Sequence, residues 1–243
     1  MSGHSKWSSI KRQKGTADIK KGQIFTKLAN AITIAVKQGG AVVDPASNFK
    51  LRLLIDKAQA ANMPKENIER AIARATGLRE GDMEEVIYEG FAPCGVSVMI
   101  EAVTDNHQRT TAEVKNIFNK SGGNFGQPGS VSYQFKQVGR IVVQKGDKSL
   151  DEIFLLAADN GAEDVLESDD EVSVMTPIDK LFSVKNKLAE AGCIILDASL
   201  VREPTVVVEV SDSEKLEKVY DFVSQLEALD DVHKVYSNLA HEN

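Results

Sequence analysis

Apolar residues between positions 17 and 38 recur at helical spacing. Ile24, Phe25, Leu28, Ile32, Ala35 and Val36 fall in one stripe, which predicts a helix over 17–38 that stops at Gly39-Gly40. Asp44-Pro45 predicts a turn, and Ser47 or Asn48 is then placed to cap a second helix whose inner face is Leu51, Leu54, Ile55, Ala58 and Ala61. Pro64 suits the first position of a third helix with the stripe Ile68, Ala71, Ile72 and Ala75 and with Gly77 as its stop. Glu66 and Arg70, one turn apart, read as a surface ion pair. Three short amphipathic helices can bury one small shared core.

Past residue 80 the pattern changes. Strands are predicted over 86–91 and 96–103, and a helix over 109–120, entered at Asp105 as its cap, with Ala112, Val114, Ile117 and Phe118 inward. A glycine-rich loop, 122–130, leads to a strand at 131–135. Residues 140–199 then read strand 140–144, helix 150–160, a hairpin of 164–167 and 171–175 about an acidic tip, helix 178–191 and strand 193–198, which is the βαββαβ order of a ferredoxin-like module. The flanking segments give the same order once this module is set aside: 96–103, 109–120 and 131–135 before it, and 205–210, 212–228 and 232–237 after it. The expected fold class is therefore α+β, an N-terminal three-helix domain followed by two ferredoxin-like α/β domains, one inserted in the other. The expected domains are 1–79, a discontinuous one of 80–137 with 200–243, and the insert 138–199, with hinges near residues 79 and 138.

Charge sharpens this division. Residues 1–79 hold fifteen Lys and Arg against five Asp and Glu, a net charge of +10, whereas residues 80–243 hold fourteen against thirty-one, a net charge of −17. A basic head on an acidic body is the asymmetry of a protein that meets nucleic acid at one end. The first residues concentrate it: Lys6, Lys11, Arg12, Lys14, Lys20, Lys21 and Lys27 stand against one acid, Asp18, with the only Trp, Trp7, and His4 among them. Cations gain free energy by releasing counterions from phosphates, and an indole stacks on bases. A merely solvated tail has no need of Trp7 or Ile10. We therefore read His4, Lys6, Trp7, Lys11, Arg12, Lys14, Lys20, Lys21 and Lys27 as nucleic-acid-binding, with Trp7 either stacking on a base or pinning the segment to the helical core.

Other constellations point to no chemistry. The loop from Gly122 to Gly129 lacks the Gly-Lys-Ser/Thr ending of a phosphate loop and precedes a strand, so it reads as a tight loop needing positive φ. Glu163, Asp164, Glu167, Asp169, Asp170 and Glu171 lack the spacing of a calcium loop and read as a solvated hairpin tip. The four histidines and Cys94 and Cys193 form no metal-ligand spacing and no disulfide framework. No nucleophile–base pattern occurs, so the chain is expected to be no enzyme, with no cofactor, no metal and no small-molecule substrate. No secretory segment follows Met1 and no apolar run approaches membrane-spanning length, which together with the isolated cysteines implies a cytoplasmic protein with no membrane partner.

The residues Gly3-His4-Ser5-Lys6-Trp7, Ile24-Phe25-Thr26-Lys27, Asn62-Met63-Pro64-Lys65-Glu66-Asn67-Ile68, Tyr88-Glu89-Gly90, Gly122-Gly123-Asn124, Gly129-Ser130-Val131, Asp230-Asp231-Val232 and Val235-Tyr236 resemble the YebC/PmpR family of transcriptional regulators. Its mitochondrial relative is the translational activator of cytochrome c oxidase. The resemblance runs almost end to end, with departures at Phe49-Lys50, His107 and Gln127-Pro128. It implies a helical N-terminal domain followed by two α/β domains, and a cytoplasmic, non-enzymatic, DNA-binding regulator of transcription. The alternative it carries is a translation factor on ribosomal RNA or the ribosome that relieves stalling on proline-rich stretches. A monomer is the favoured state.

Overall fold

The stripe at 17–38 folds as helix α1 (Ala17–Gln38) in a computed structural model that describes residues 17–76, 83–144, 146, 148–168 and 171–240. Leu28, Ile32, Ala35 and Val36 are buried, with Phe25 packed against them. Ile24, expected on the same stripe, is 48% exposed. Neighbouring helical residues project about 100° apart, so only one of Ile24 and Phe25 can face the core. Helix α2 (Phe49–Ala60) starts at Asn48, whose Oδ1 accepts from the Leu51 N–H at 3.0 Å. The other end of that buried amide donates to the carbonyls of Ala35 at 2.9 Å and Val42 at 3.2 Å, so one side chain caps two helices. Helix α3 (Lys65–Thr76) begins one residue after Pro64, whose carbonyl accepts from Asn67 and Ile68. The ion pair on α3 joins Lys65 and Glu69 at 3.3 Å rather than Glu66 and Arg70. The three helices share a core that includes Ile32, Leu51, Ala58, Met63, Ile68 and Ala71, and Arg74 ties α3 to α1 by donating to Asn30 Oδ1 at 2.8 Å. Gly77 and the hinge expected near residue 79 lie outside the described residues.

Strands β1 (Glu84–Phe91) and β2 (Ser97–Thr104) form an antiparallel hairpin with Tyr88 opposite Ile100 and Gly90 opposite Val98. Helix α4 (His107–Ser121) follows, then β3 (Asn124–Phe125), and, beyond the insert, helix α7 (Ser213–Glu227) and β8 (Val232–Ser237). The sheet runs β3-β1-β2-β8. Helices α4 and α7 meet through Phe118 and Phe222, edge to face at 4.9 Å between ring centres, an aromatic pair that contributes about 1 kcal/mol beyond its buried area. Gly90 is required beneath them, because a Cβ there would lie 2.6 Å from the Phe118 ring and 2.5 Å from the Asn124 carbonyl. The cap of α4 is Asn106, not Asp105: Asn106 Oδ1 accepts from the Arg109 N–H at 3.0 Å, whereas Asp105 pairs with the Arg109 guanidinium at 3.1 Å.

The insert carries β4 (Phe135–Gln144), α5 (Leu150–Asp159), β5 (Asp164–Ser168), β6 (Glu171–Thr176), α6 (Leu181–Glu190) and β7 (Ile194–Pro204). Its sheet order, β5-β6-β4-β7, places second, third, first and fourth strands side by side, the ferredoxin-like arrangement. Strand β4 pairs with β7 from Phe135 opposite Pro204 to Gln144 opposite Ile194, and runs unbroken through residue 138. Ile141, Val143, Ile153, Val174, Leu181 and Leu188 form its buried centre. Residues 134–206 cluster as one compact unit, and 15–133 with 207–239 as the other.

The outer sheet reaches the same spatial order by another connection. Two expected strands are absent. Residues 205–210 make only a bridge from Val208 to Leu239, and Val206 and Val207 are 58% and 53% exposed. Residues 132–134 are a 3-10 turn, and the strand beside β1 is Asn124–Phe125. β1 takes the place that the third strand holds in the insert, although it comes first in the chain. The backbone N–H groups of Gly129, Val131 and Ser132 are engaged by the Glu89 side chain and that of Ser130 by the Gln127 carbonyl, so they join no ladder.

Candidate nucleic-acid interface

Of the cations assigned to phosphate, His4, Lys6, Lys11, Arg12 and Lys14, like Trp7, lie outside the described residues. Lys20 and Lys21 stand in the first turns of α1, where the backbone is described and the side chains are not. Lys27 is placed: its ammonium donates to the main-chain carbonyl of Glu227 at 2.7 Å, at the C-terminal end of α7, where a cation also meets the negative end of the helix dipole. Gln23 reaches Asp230 on the same side at 3.5 Å. The helix that continues the basic segment is thus anchored on the outer sheet's own helix.

The remaining cations of the helical region divide. Arg52 donates to the carbonyls of Pro45 and Ala46 at 2.9 Å each, Lys50 pairs with Glu85 at 3.5 Å, and Arg74 holds Asn30. These hold the fold together. Lys57, Lys65 and Arg70 are exposed on α2 and α3, with Lys65 paired to Glu69 across one turn.

The glycine loop proves to be an anion cradle already filled by the protein. Glu89 on β1 is 6% exposed. Its Oε1 accepts from the Gly129 N–H at 2.8 Å, and its Oε2 from the N–H groups of Val131 at 2.7 Å and Ser132 at 2.9 Å. Its main-chain carbonyl accepts from Gly126 at 2.8 Å. Burial alone would raise the carboxyl's pKa, but the backbone donors outweigh it and hold Glu89 below its ordinary value. Gly129 sits at φ +91°, as a loop turned back on a carboxylate requires. Three N–H groups aimed at one carboxylate leave no opening there for a phosphate.

A second carboxylate organises the opposite end of the sheet. Asp231 Oδ2 accepts from Arg109 at 2.6 Å, Thr110 at 2.6 Å and Thr104 at 3.1 Å. Burial would raise its pKa, but the bonds from Arg109, Thr110 and Thr104 lower it on balance. Arg109 is engaged by two carboxylates, Asp231 and Asp105, and His107 stacks against Tyr88 at 6.1 Å between ring centres. No group of His, Cys, Asp or Glu among the described residues is placed to hold a metal. No helix among them is long and apolar enough to cross a membrane.

His233 on β8 has its Nε2 buried without a hydrogen-bond partner. Burial, with Lys27 and Lys234 nearby, pushes its pKa down to about 4 from 6.5. The folded chain keeps the ring neutral where the unfolded chain protonates it, so this contribution is complete above pH 6.5 and is lost as pH falls toward 4. Between pH 7 and pH 5 the loss is about 2 kcal/mol. Urea unfolding at the two pH values should show this difference in the native chain and not in His233→Gln.

Neither Glu89 nor Asp231 stands out as an organiser in the sequence. The available signals were an acid set in a strand opposite a glycine loop, and a paired Asp230-Asp231 just ahead of a strand.

Comparison with known proteins agrees with this architecture. Residues 5–78 match the TACO1/YebC protein N-terminal domain, and residues 83–239 match the TACO1/YebC second and third domain. A probable transcriptional regulatory protein of Persephonella marina is 48% identical over 240 residues, covering 98% of this chain and 95% of that protein. One of Thermotoga maritima is 46% identical over 240 residues, covering 98% and 93%. The crystal structure of the conserved hypothetical protein Aq1575 from Aquifex aeolicus superposes with a TM-score of 0.86 at 41% identity, covering 94% of this chain and 93% of that one. Helical head, inserted ferredoxin-like unit and end-to-end identity together establish that the chain belongs to the TACO1/YebC family.

Proposed function

We propose that this chain is a non-enzymatic nucleic-acid-binding regulator that acts in the cytoplasm as a DNA-binding transcriptional regulatory protein. One observation carries the reading: a net charge of +10 over residues 1–79 against −17 over residues 80–243. The head gains by neutralising phosphates, and the body is repelled by them, so the polymer meets the chain at one end. His4, Lys6, Trp7, Lys11, Arg12, Lys14, Lys20, Lys21 and Lys27 form the contact. Lys27 holds its charge at the root of the segment while its ammonium anchors on Glu227. The names of the relatives from Persephonella marina and Thermotoga maritima support a role in transcription.

A second reading, a translation factor on ribosomal RNA or the ribosome, is favoured by the exposed faces of α2 and α3. Asp56, Glu66 and Glu69 are exposed there among the cations. A helix seated in a DNA groove would press those acids toward phosphates, whereas recognition by shape does not demand such a helix.

Replacing Lys11 and Arg12 together with alanine should weaken binding alike across sequences and flatten the slope of log affinity against log salt by about two. A salt titration on random-sequence duplex DNA and on a ribosomal RNA fragment measures it, and an unchanged slope refutes the assignment. Crosslinking in cells with sequencing of both polymers then separates promoter DNA from ribosomal RNA.

A further inference from the structure

Helix α5 of the inserted unit is apolar on two sides. Ile153 and Ala157 are buried against the sheet, with Leu150 and Leu156 half-buried beside them. The opposite side carries Phe154, 48% exposed, Leu155, 61% exposed, and Ala158, also exposed. Residues 151, 154, 155 and 158 lie on one face at helical spacing. Folding requires only the inner side. Helices α6 and α7 show the ordinary arrangement, exposing Ser183, Asn186 and Lys187, and Glu217, Lys218 and Asp221. Isolated exposed apolar residues need no explanation, but an aromatic and a leucine side by side on a helix ridge form a patch.

The rim of that patch is acidic. Asp151 stands at one end of α5 and Asp159 at the other, with no Lys or Arg between residues 149 and 162, while the Glu152 carboxylate is turned back onto Ser149, accepting from its N–H at 2.8 Å and its hydroxyl at 3.0 Å. The unit as a whole, residues 134–206, holds eight Lys and Arg against fourteen Asp and Glu. Charge therefore selects among occupants. A second copy would bring like carboxylates together, and lipid surfaces and nucleic acids are themselves anionic. An apolar stripe flanked by cations complements both the ridge and its rim.

We propose that the outward face of α5 docks a basic amphipathic helix of a partner protein, with Phe154 and Leu155 as the anchors and Asp151 and Asp159 as the complementary rim. None of these residues is among those assigned to phosphate, so the proposal does not depend on which polymer the head binds.

The test uses the full chain and, as probe, a synthetic amphipathic helix of Leu and Lys, with its Leu and Glu counterpart as control, followed by fluorescence anisotropy. The Leu/Lys helix should bind, and the Leu/Glu helix should bind at least about tenfold more weakly. Replacing Phe154 and Leu155 together with serine keeps every charge and should weaken the Leu/Lys helix by about tenfold or more. Asp151→Asn with Asp159→Asn leaves the ridge intact and should weaken it about threefold. Equal affinity for the native chain and the serine variant, with both showing the native circular dichroism, overturns the proposal. So does a concentration-dependent dimer of the native chain that the serine variant loses, which would assign the ridge to a second copy.

Discussion

Replacing Glu89 with alanine is expected to destabilise the unit of residues 15–133 and 207–239 by about 3–5 kcal/mol. The substitution removes the acceptor of three backbone N–H groups at once, from Gly129, Val131 and Ser132. The Val131 and Ser132 donors share Oε2 and have no ladder partner to turn to, so the full desolvation penalty falls on them. Urea unfolding at pH 7 measures the loss. The acid limb gives a second signature. Because the folded carboxyl is held below its ordinary 4.5, its contribution is complete above that pH and disappears as the pH falls through the lowered value. Glu89→Gln should lose that acid-dependent part while keeping the loop's shape better than alanine does. A loss below about 1 kcal/mol for Glu89→Ala would show that the glycine loop holds itself.

Asp231→Ala is expected to remove about 2–4 kcal/mol from the same unit. Arg109, Thr104 and Thr110 all converge on one oxygen of a side chain that is 13% exposed. Arg109 is half in solvent and keeps Asp105, so its share is the smaller; the two buried threonines keep their bond to each other at 2.8 Å, and Thr110 keeps the Asn106 carbonyl at 3.2 Å, which holds the loss below that of Glu89→Ala. Asp231→Asn should fall between native and alanine, since an amide oxygen still accepts from Thr110 but its nitrogen repels the guanidinium. Thermal melting of the three proteins orders them, and Asn matching Ala would show that the charge, not the oxygen, matters. As with Glu89, the lowered pKa places the pH-dependent loss below the ordinary value of 3.8.

The helical head was legible because one core decides it. Most of the stripe on α1 and of the face of α2 follows from spacing, with Ile24 the exception on α1 and Leu53 the buried residue missed on α2, and Asn48 is the residue type a cap requires. The inserted unit was legible because its strand and helix order is complete within one continuous stretch. The outer sheet was not, for a reason of context. Thr205-Val206-Val207-Val208 has strand propensity, but strand propensity expresses a fit to a half-buried surface, and these valines have no sheet to join beyond one bridge. Strand β1 wins the central place because its hairpin with β2 is local and Gly90 admits the Phe118 ring. The glycine loop could be told from a phosphate loop by sequence, but that Glu89 fills it could not, since a strand acid reads as exposed. Likewise charge located the basic head, yet nothing in the spacing of Lys27, Arg52 or Arg74 shows that each is held by a protein oxygen.

On the proposed reading, the cationic leading segment grips phosphate while the acidic remainder stays clear. The most direct measurement is the affinity of the full chain, and of the chain lacking residues 1–16, for duplex DNA and ribosomal RNA over a salt series. Loss of Lys6, Lys11, Arg12 and Lys14 should lower affinity about a hundredfold or more at low salt and reduce the salt slope by three to four, about 0.9 for each cation on duplex DNA. Affinity and slope unchanged by the truncation, with the shortened protein still folded, would contradict the account.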